Sequence, residues 1–473
     1  MPNQATSTSD AATELRRLVE RPDQIDSSAT AIAAHSYDWW PVAAKWRQNG
    51  RSPCAPDVVV FPDSLEEISN ILSWANKARV PVTAWGLGSS VVGQPLAEMG
   101  GISLDLSRMD KIIAVDETNL IVRAEAGVAG GRLEEHLNAL GFTLNHSPQS
   151  LHRSTLGGWL ATRATGQFSS RYGGIEDLCY SFVAVLADGE VVTTADTPRM
   201  AVGPDLRHAL IGSEGCLGII TEVALKIFPL AEQRLFETLA FATVEDGVSA
   251  IRSIMLKGLR PFLLRFYDTE EARHAMKDNA FASPVMFLGC EGVEAVAAAE
   301  LKACIDVCAA LGGKPQGGQG AEDWMGRRYD FSTIEGFVSR PEGVAETIEV
   351  SNNWSRIMDT YNVLTERLRP MAAEVLGHFS HSYTTGISLY VILLGDAADS
   401  EQSEARIKEI WKIAMEAALE TGASISHHHG AGLARAPYVK RSLGSSFTLL
   451  QSMKDALDPN NILNPGKLGL KRP

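Results

Sequence analysis

The chain has 473 residues, of which 45% are hydrophobic and 21% are charged, a composition typical of a folded protein with two or three domains. Its formal net charge of −14 disfavours a general nucleic-acid-binding protein, because such a protein needs a basic surface to displace counterions from phosphates. The longest apolar runs are far shorter than the roughly 20 residues that cross a bilayer, so no membrane span is predicted.

The N-terminal sequence lacks the apolar core of a secretory signal, and the six cysteines are scattered without a CxxC pair. Both features favour a reduced, cytoplasmic protein. Residues 1–50 are predicted to form an N-terminal strap, in which the aromatic run over residues 35–46 covers a core.

Strand and helix patterns alternate between residues 51 and 230. Ser64 lies three residues before Glu67, a spacing typical of a helix N-terminus. One of the strands runs directly into a glycine-rich loop over residues 86–90. The predicted strands are rich in β-branched and apolar residues and cover residues 58–61, 80–85, 101–106 and 120–126.

A different pattern begins near residue 231. Strands predicted over residues 235–241, 262–267 and 388–394 alternate with long helices, which indicates a separate α/β module over residues 231–425. The turn-rich sequence LGGKPQGGQG, residues 311–320, predicts an exposed loop. The last segment, residues 426–473, is again rich in motifs.

Glycines cluster with small hydroxyl residues at three places in the first half, residues 85–90, 147–173 and 212–222. Consecutive backbone N–H groups in such loops form a concave site for phosphate oxygens. No GxGxxG sequence opens a helix here, which disfavours a nicotinamide site of the Rossmann type. We therefore expect one extended ligand to contact all three clusters.

The order of these clusters, together with GSEGCLGIITE and the terminal DPNNILNPGK, resembles the flavin-binding domain of the vanillyl-alcohol-oxidase/p-cresol-methylhydroxylase (PCMH) superfamily. The chain is most similar to the alkyldihydroxyacetonephosphate synthase family through STLGGWLATRATG, YGGIEDL and above all SHHHG at residues 426–430. The resemblance implies an α+β fold. A PCMH-type FAD-binding domain of two α/β subdomains would cover residues 51–230, and an α/β cap domain with an antiparallel sheet residues 231–425. Residues 426–473 would return to the FAD domain.

The resemblance also implies noncovalent FAD, because the histidine that carries a covalent flavin in some relatives has no counterpart in the loop over residues 85–90. That loop would hold the pyrophosphate, residues 150–164 would line the ribityl and isoalloxazine groups, and Glu214 and Ile220 would lie near the adenine. Asn464 would lie close to the flavin. The implied cofactor-binding residues are Trp85, Gly86, Leu87, Gly88, Ser89, Ser90, Pro148, Ser150, Thr155, Gly157, Gly158, Thr162, Ala164, Glu214, Gly218, Ile220 and Asn464.

Flavin chemistry needs a group that accepts a proton from the substrate. Since neighbouring side chains diverge, we expect one or two of the consecutive histidines His427, His428 and His429 to face the site. The resemblance favours His428 and His429, with Tyr390 as the proton carrier. The alternative for Tyr390 is a structural tyrosine in a half-buried strand.

The predicted substrate-binding residues are Arg265, Arg327, Arg328, His381 and Ser388. Each arginine could hold a phosphate or carboxylate, or could instead form a structural ion pair. D-Lactate and D-2-hydroxyglutarate dehydrogenases of the superfamily carry metal ligands in this region. Ser388 here replaces a histidine, so no metal is predicted, although a zinc site remains the alternative.

Two functions are therefore expected to compete. The first is an FAD-dependent oxidoreductase that oxidises a hydroxyl-bearing carbon of a 2-hydroxy acid or an aryl or alkyl alcohol, by hydride transfer to flavin N5 with a histidine or tyrosine base. The second is a redox-neutral transferase that resembles the synthase and exchanges acyl for alkyl through a flavin N5 adduct. The NPGK ending favours the first. Its electron acceptor would be oxygen, a quinone or a protein, and a homodimer is expected.

Overall fold

A computed structural model describes residues 8–471, with side chains from residue 12 onward. Its α-helices pack on the sheets or connect their strands. They are α1 (Thr8–Leu15), α2 (Ala29–Ala34), α3 (Pro41–Gln48), α4 (Leu65–Ala78), α5 (Gly130–Ala139), α6 (Leu156–Thr162), α7 (Ser169–Tyr172), α8 (Ile175–Leu178), α9 (Arg207–Leu210), α10 (Val244–Leu256), α11 (Thr269–Met276), α12 (Glu294–Ala310), α13 (Gln319–Arg327), α14 (Ser332–Val338), α15 (Ile357–Leu368), α16 (Ser400–Thr421), α17 (Gly432–Leu443) and α18 (Phe447–Leu457).

The first subdomain is a four-stranded sheet with the order β1 (Ile25–Asp26), β2 (Val58–Val60), β4 (Ile102–Asp105) and β3 (Val82–Trp85). β2, β4 and β3 are parallel, and α4 connects β2 to β3. The Ser64 hydroxyl accepts the Glu67 N–H at 3.2 Å, which confirms the predicted helix start. The parallel order brings the carboxyl end of β3 to the edge where the loop over residues 86–90 begins.

The second subdomain is an antiparallel five-stranded sheet, β5 (Ile112–Asp116), β6 (Ile121–Glu125), β10 (Ile219–Lys226), β8 (Cys179–Val185) and β9 (Val191–Thr193), in that spatial order. β7 (Phe142–Thr143) and β11 (Phe228–Pro229) form a separate pair. Helix α6 packs against β10, and it begins where the Thr155 hydroxyl accepts the Gly158 N–H. The second and third glycine clusters therefore lie beside one sheet.

The third unit is an antiparallel seven-stranded sheet with the order β15 (Lys314–Gly317), β12 (Gln233–Ala240), β14 (Val285–Gly292), β13 (Leu263–Tyr267), β17 (Glu374–Ser382), β18 (Gly386–Asp396) and β16 (Gly343–Asn353). Helices α10, α12, α15 and α16 pack on it through a large apolar core. This confirms the predicted antiparallel sheet. The prediction of a loop over residues 311–320 is wrong in part, because residues 314–317 form an exposed edge strand, three residues of which pair with β12.

The C-terminal segment lies against the first subdomain. The Val82 N–H donates to Ile462 O at 2.8 Å, and the Asn464 N–H donates to Val82 O at 2.8 Å. Residues 462–464 thus run beside β3, next to the first glycine loop. Within residues 8–471, no helix combines the length and the apolar character that a membrane crossing requires.

Candidate active site

A cavity of about 1010 Å³ lies where the three sheets and the C-terminal segment meet. It is lined by all three glycine clusters, by strands β13, β17 and β18, and by the histidine segment. Every predicted cofactor-binding residue lines it, as do Arg265, Arg327, Arg328, His381, Tyr390, His428 and His429. The remaining two predicted site residues, His427 and Ser388, are not among the residues that line it.

Two glycines of these loops allow a close approach to neighbouring parts of the protein. A Cβ atom on Gly86 would lie 2.6 Å from Thr155 Oγ1, and one on Gly157 would lie 2.9 Å from the Ala126 Cβ. Gly88 has φ +64°, a conformation that favours glycine. In the described part of the chain, the N–H groups of residues 87–90 have no protein acceptor, so they are free for phosphate oxygens.

The histidine segment is held from one side by Glu349 on β16. This carboxylate accepts the backbone N–H of His427, that of His428 at 3.2 Å and that of His429 at 2.9 Å. Arg435 lies 3.0 Å from the same carboxylate, and neither side chain is exposed. Burial alone would raise the pKa of Glu349, but the Arg435 charge and the histidine N–H groups hold it well below its usual range.

Glu214 holds the other side of the same loop. Its carboxylate accepts the N–H of Ala431 at 2.5 Å, that of Gly432 at 3.0 Å and the Gln94 amide at 3.0 Å. Burial raises the pKa of Glu214, and the donors only partly oppose this. Glu214 was expected near the adenine of the cofactor, and it does line the cavity. Its carboxylate oxygens, however, already accept hydrogen bonds from the backbone of the loop that follows the histidines.

The three histidines point in different directions. His428 and His429 line the cavity, whereas His427 turns toward the Tyr383 hydroxyl at 2.7 Å and stacks on His381 with ring centroids 5.0 Å apart. Burial lowers the pKa of His427 and His428 to about 3 and that of His429 to about 4. The imidazoles are therefore neutral near pH 7, and those of His428 and His429 line the cavity.

Tyr390 lies on β18, beside the two histidines that face the cavity. Its ring stacks on His378 with centroids 4.8 Å apart and meets His429 edge-on at 5.6 Å. Burial raises the pKa of Tyr390, so its hydroxyl is protonated near pH 7 and can donate a hydrogen bond. The arrangement pairs neutral imidazole acceptors with a phenol donor at one wall of the cavity.

The three predicted arginines also meet at the cavity. Their hydrogen-bond partners among the described residues are hydroxyl groups, an imidazole and backbone carbonyls rather than carboxylates. Arg265 donates to the Tyr267 hydroxyl at 2.9 Å and to His378 at 2.9 Å. Arg327 donates to a backbone carbonyl, and the Nε atom of Arg328 is buried without a partner. This region can therefore attract an anion.

Ser388 and His381 are held by protein partners. The Ser388 hydroxyl donates to Ser380 O at 2.6 Å, and His381 Nδ1 lies 2.7 Å from the Ser169 hydroxyl. His381, His427 and His428 each place one nitrogen within 4.8 Å of the others, so this trio supplies the geometry that the zinc alternative would use.

Sequence reasoning missed the contribution of the N-terminal strap. Trp40 and Trp46 are buried in the core as expected, but Tyr37, Asp38 and Trp39 line the cavity. The Asp38 carboxylate accepts the Gly93 N–H at 2.9 Å, just beyond the first glycine loop. The sequence signal that could have indicated this is one acidic residue, Asp38, within the aromatic run over residues 35–46. Glu271 and His378 at the far wall were also missed.

Comparisons with known families match both halves of the chain. The family described as "FAD binding domain" matches residues 56–195, and the family described as "FAD linked oxidases, C-terminal domain" matches residues 230–468. The second match continues through the histidine segment, so both sides of the cavity are built from sequence that these families share.

Full-length relatives cover most of the chain. An uncharacterized FAD-linked oxidoreductase of Escherichia coli K12, YgcU, is 33% identical over 87% of this chain and 89% of its own length. Alkyldihydroxyacetonephosphate synthase of Dictyostelium discoideum is 29% identical over 94% of this chain and 79% of its own. Mitochondrial D-lactate dehydrogenase (cytochrome) of Arabidopsis thaliana is 28% identical over 87% and 73%.

Solved structures share the whole architecture. A structure of alkyldihydroxyacetonephosphate synthase superposes with a TM-score of 0.80 at 25% identity, covering 96% of this chain and 85% of that one. p-Cresol methylhydroxylase superposes with a TM-score of 0.81 at 18% identity, covering 98% and 97%, and shows the fold. The predicted superfamily is confirmed.

Proposed function

This chain belongs to the FAD-linked oxidase family, and from that premise we propose that it oxidises the hydroxyl-bearing carbon of a small anionic substrate, of which a 2-hydroxy acid is the simplest class. The observation that carries the proposal is one cavity wall that combines neutral His428 and His429, the Tyr390 hydroxyl and the unpaired Arg265 guanidinium. The aryl or neutral alkyl alcohols considered from the sequence make no use of that guanidinium.

The residues have separate tasks in this reaction. The three glycine clusters would hold FAD, which would supply the acceptor for a hydride from the substrate carbon. The Arg265 guanidinium binds the carboxylate of the substrate, and Tyr390 donates a hydrogen bond to its hydroxyl oxygen. His428 or His429 accepts the hydroxyl proton, so that loss of the hydride and proton leaves a carbonyl. The electron acceptor is oxygen, a quinone or a protein.

The test is anaerobic mixing of FAD-loaded protein with a panel of 2-hydroxy acids and matched neutral alcohols. We expect at least one 2-hydroxy acid to bleach the flavin absorbance, and its methyl ester to react much more slowly. H429A and Y390F should each slow flavin reduction about 100-fold or more, the size expected for loss of a positioned proton-transfer group, while FAD content is retained. Full activity in both variants would disprove these assignments.

The second candidate is a reaction like that of the synthase, in which an acyl group is exchanged for an alkyl group. The SHHHG segment and the similarity to the synthase favour it. It predicts alkyl product from acyl-dihydroxyacetone phosphate and a fatty alcohol without net flavin reduction. Arg265 would then bind a phosphate in place of a carboxylate. Absence of alkyl product from folded, FAD-loaded protein would exclude it.

Three further properties are part of the proposal. FAD is held noncovalently, since the loop over residues 85–90 offers only serine hydroxyls as nucleophiles. Acid precipitation should therefore release the flavin into the supernatant. The protein is a cytoplasmic homodimer, which light scattering after size exclusion and cell fractionation would check.

A further inference from the structure

Three buried side chains at the cavity wall form a chain of hydrogen bonds, and the reaction above uses only one of them, Arg265. Arg265 on β13 donates through Nη2 to His378 Nε2 at 2.9 Å, and His378 Nδ1 lies 2.8 Å from the Glu271 carboxylate. His378 is on β17, directly opposite Tyr267, and Glu271 is on α11. All three are at most 9% exposed, so solvent does not replace these contacts.

The chemistry of the guanidinium fixes the proton on His378. A guanidinium has donors but no acceptor, so His378 Nε2 must present its lone pair to Arg265. Burial and the Arg265 charge hold the pKa of His378 well below its usual range, and the single ring proton therefore lies on Nδ1. His378 donates this N–H to the Glu271 carboxyl group, which has an accepting oxygen whether it is ionised or protonated.

The same contacts determine which edge of Arg265 is free. Two of its five N–H groups are used, by Tyr267 and His378, and its guanidinium lies over the Trp324 ring at 4.9 Å. In the described part of the chain the other three N–H groups have no acceptor, and Arg265 lines the cavity. Stacking of His378 on Tyr390 places this free edge relative to the phenol donor.

We propose that Glu271 and His378 are positioning residues that hold the guanidinium of Arg265 with its free edge toward a carboxylate or phosphate of the substrate. The inference rests on the proposed function, in which Arg265 binds the substrate anion. A guanidinium held by one side chain alone would rotate about its long aliphatic stem. Anion binding would then have to order the arginine side chain, and the loss of conformational entropy would reduce the affinity for the anion.

The experiment measures binding of oxalate, inorganic phosphate and neutral oxamide to FAD-loaded, full-length protein by calorimetry. H378F keeps a ring against Tyr390 but removes both nitrogens, and E271L removes the acceptor. Both should raise the Kd of the anion about tenfold or more and leave oxamide unchanged. E271Q keeps an accepting oxygen and should stay within about threefold of wild type. Oxalate binding alone indicates a carboxylate site, and phosphate binding alone a phosphate site.

Two controls separate the possible failures. R265M should lose anion binding, and if it binds both anions as wild type does, the anion site of the proposed function is wrong as well. If R265M loses binding but folded H378F does not, only the positioning role is overturned. If H378F takes up no FAD, H378N replaces it, since the asparagine amide can donate to Glu271 from the place of Nδ1, whereas its shorter side chain has no acceptor at the place of Nε2, where Arg265 donates. A merely structural role would weaken oxamide binding to the same degree.

Discussion

Glu349 and Glu214 both bind backbone N–H groups of the loop over residues 427–432, but within the described residues only Glu349 forms an ion pair, with Arg435 at 3.0 Å. The difference moves their pKa values in opposite directions, down for Glu349 and up for Glu214. Glu349 comes from β16 of the seven-stranded sheet, and Glu214 comes from the loop that precedes β10 of the five-stranded sheet. The histidine side of the loop, residues 427–429, is thus held by a carboxylate whose charge is stabilised by an ion pair. The glycine side, residues 430–432, is held by a carboxylate whose charge is less well stabilised.

Removal of Glu349 should have the largest effect. E349A leaves Arg435 buried without its partner, and breaking such a pair costs about 3–5 kcal/mol in the free energy of unfolding. Denaturant unfolding would measure this at pH 7. E346Q is the matched control, because Glu346 is buried on the same strand and accepts the Trp411 indole N–H at 2.7 Å and the Thr347 N–H at 2.8 Å, without an ion pair among the described residues. It should cost less than about 1 kcal/mol. Equal losses in the two variants would contradict the role of the ion pair.

The two glutamates also predict opposite pH dependences. The folded pKa of Glu349 lies below its ordinary value of 4.5, so its contribution is complete above pH 4.5 and is lost as the pH falls further. The folded pKa of Glu214 lies above 4.5, so Glu214 favours the folded state less as the pH rises through that folded pKa.

Substitution of Glu214 should have a smaller effect. E214Q can still accept one backbone N–H, but its amide N–H₂ group opposes the other donors, so we expect a loss of about 2 kcal/mol. The histidines should move with the loop, and flavin reduction should slow without loss of FAD. The stability of E214Q is measured in the same denaturant series. If it equals that of wild type, the glycine side of the loop needs no carboxylate.

These two glutamates also show where sequence reasoning stops. The first glycine loop could be predicted from residues 80–90 alone, because a strand and its turn are local patterns. The contact between Glu349 and His427 joins residues 78 apart in the chain, and it exists only because β16 ends beside the histidine segment. Likewise, residues 311–320 have the local pattern of a loop, and only pairing with β12 makes part of them a strand.

A third prediction concerns the histidine side alone. His427 has a folded pKa of about 3 against an ordinary value of 6.5, so the unfolded chain binds the extra proton between these values and stability falls with acidification. Wild type should lose about 1.4 kcal/mol more than H427Q between pH 7.5 and pH 5.5. Denaturant unfolding at both pH values measures the difference. H136Q replaces an exposed histidine and should keep the full wild-type loss.

The smallest effect is expected from removal of metal ions. His381 uses Nδ1 for Ser169, and both nitrogens of His427 are occupied, one by Tyr383 and the other by His428. A metal would have to break the bond between His427 and His428, whose backbone Glu349 already holds in place. Purified protein should therefore contain far less than one metal per chain by mass spectrometry, and a chelator should leave flavin reduction unchanged. The opposite outcome would be one zinc ion per chain, with activity that disappears on chelation and returns when zinc is added. It would show that the imidazoles of His381, His427 and His428 form a metal site, and that Glu349 positions the ligands of that site.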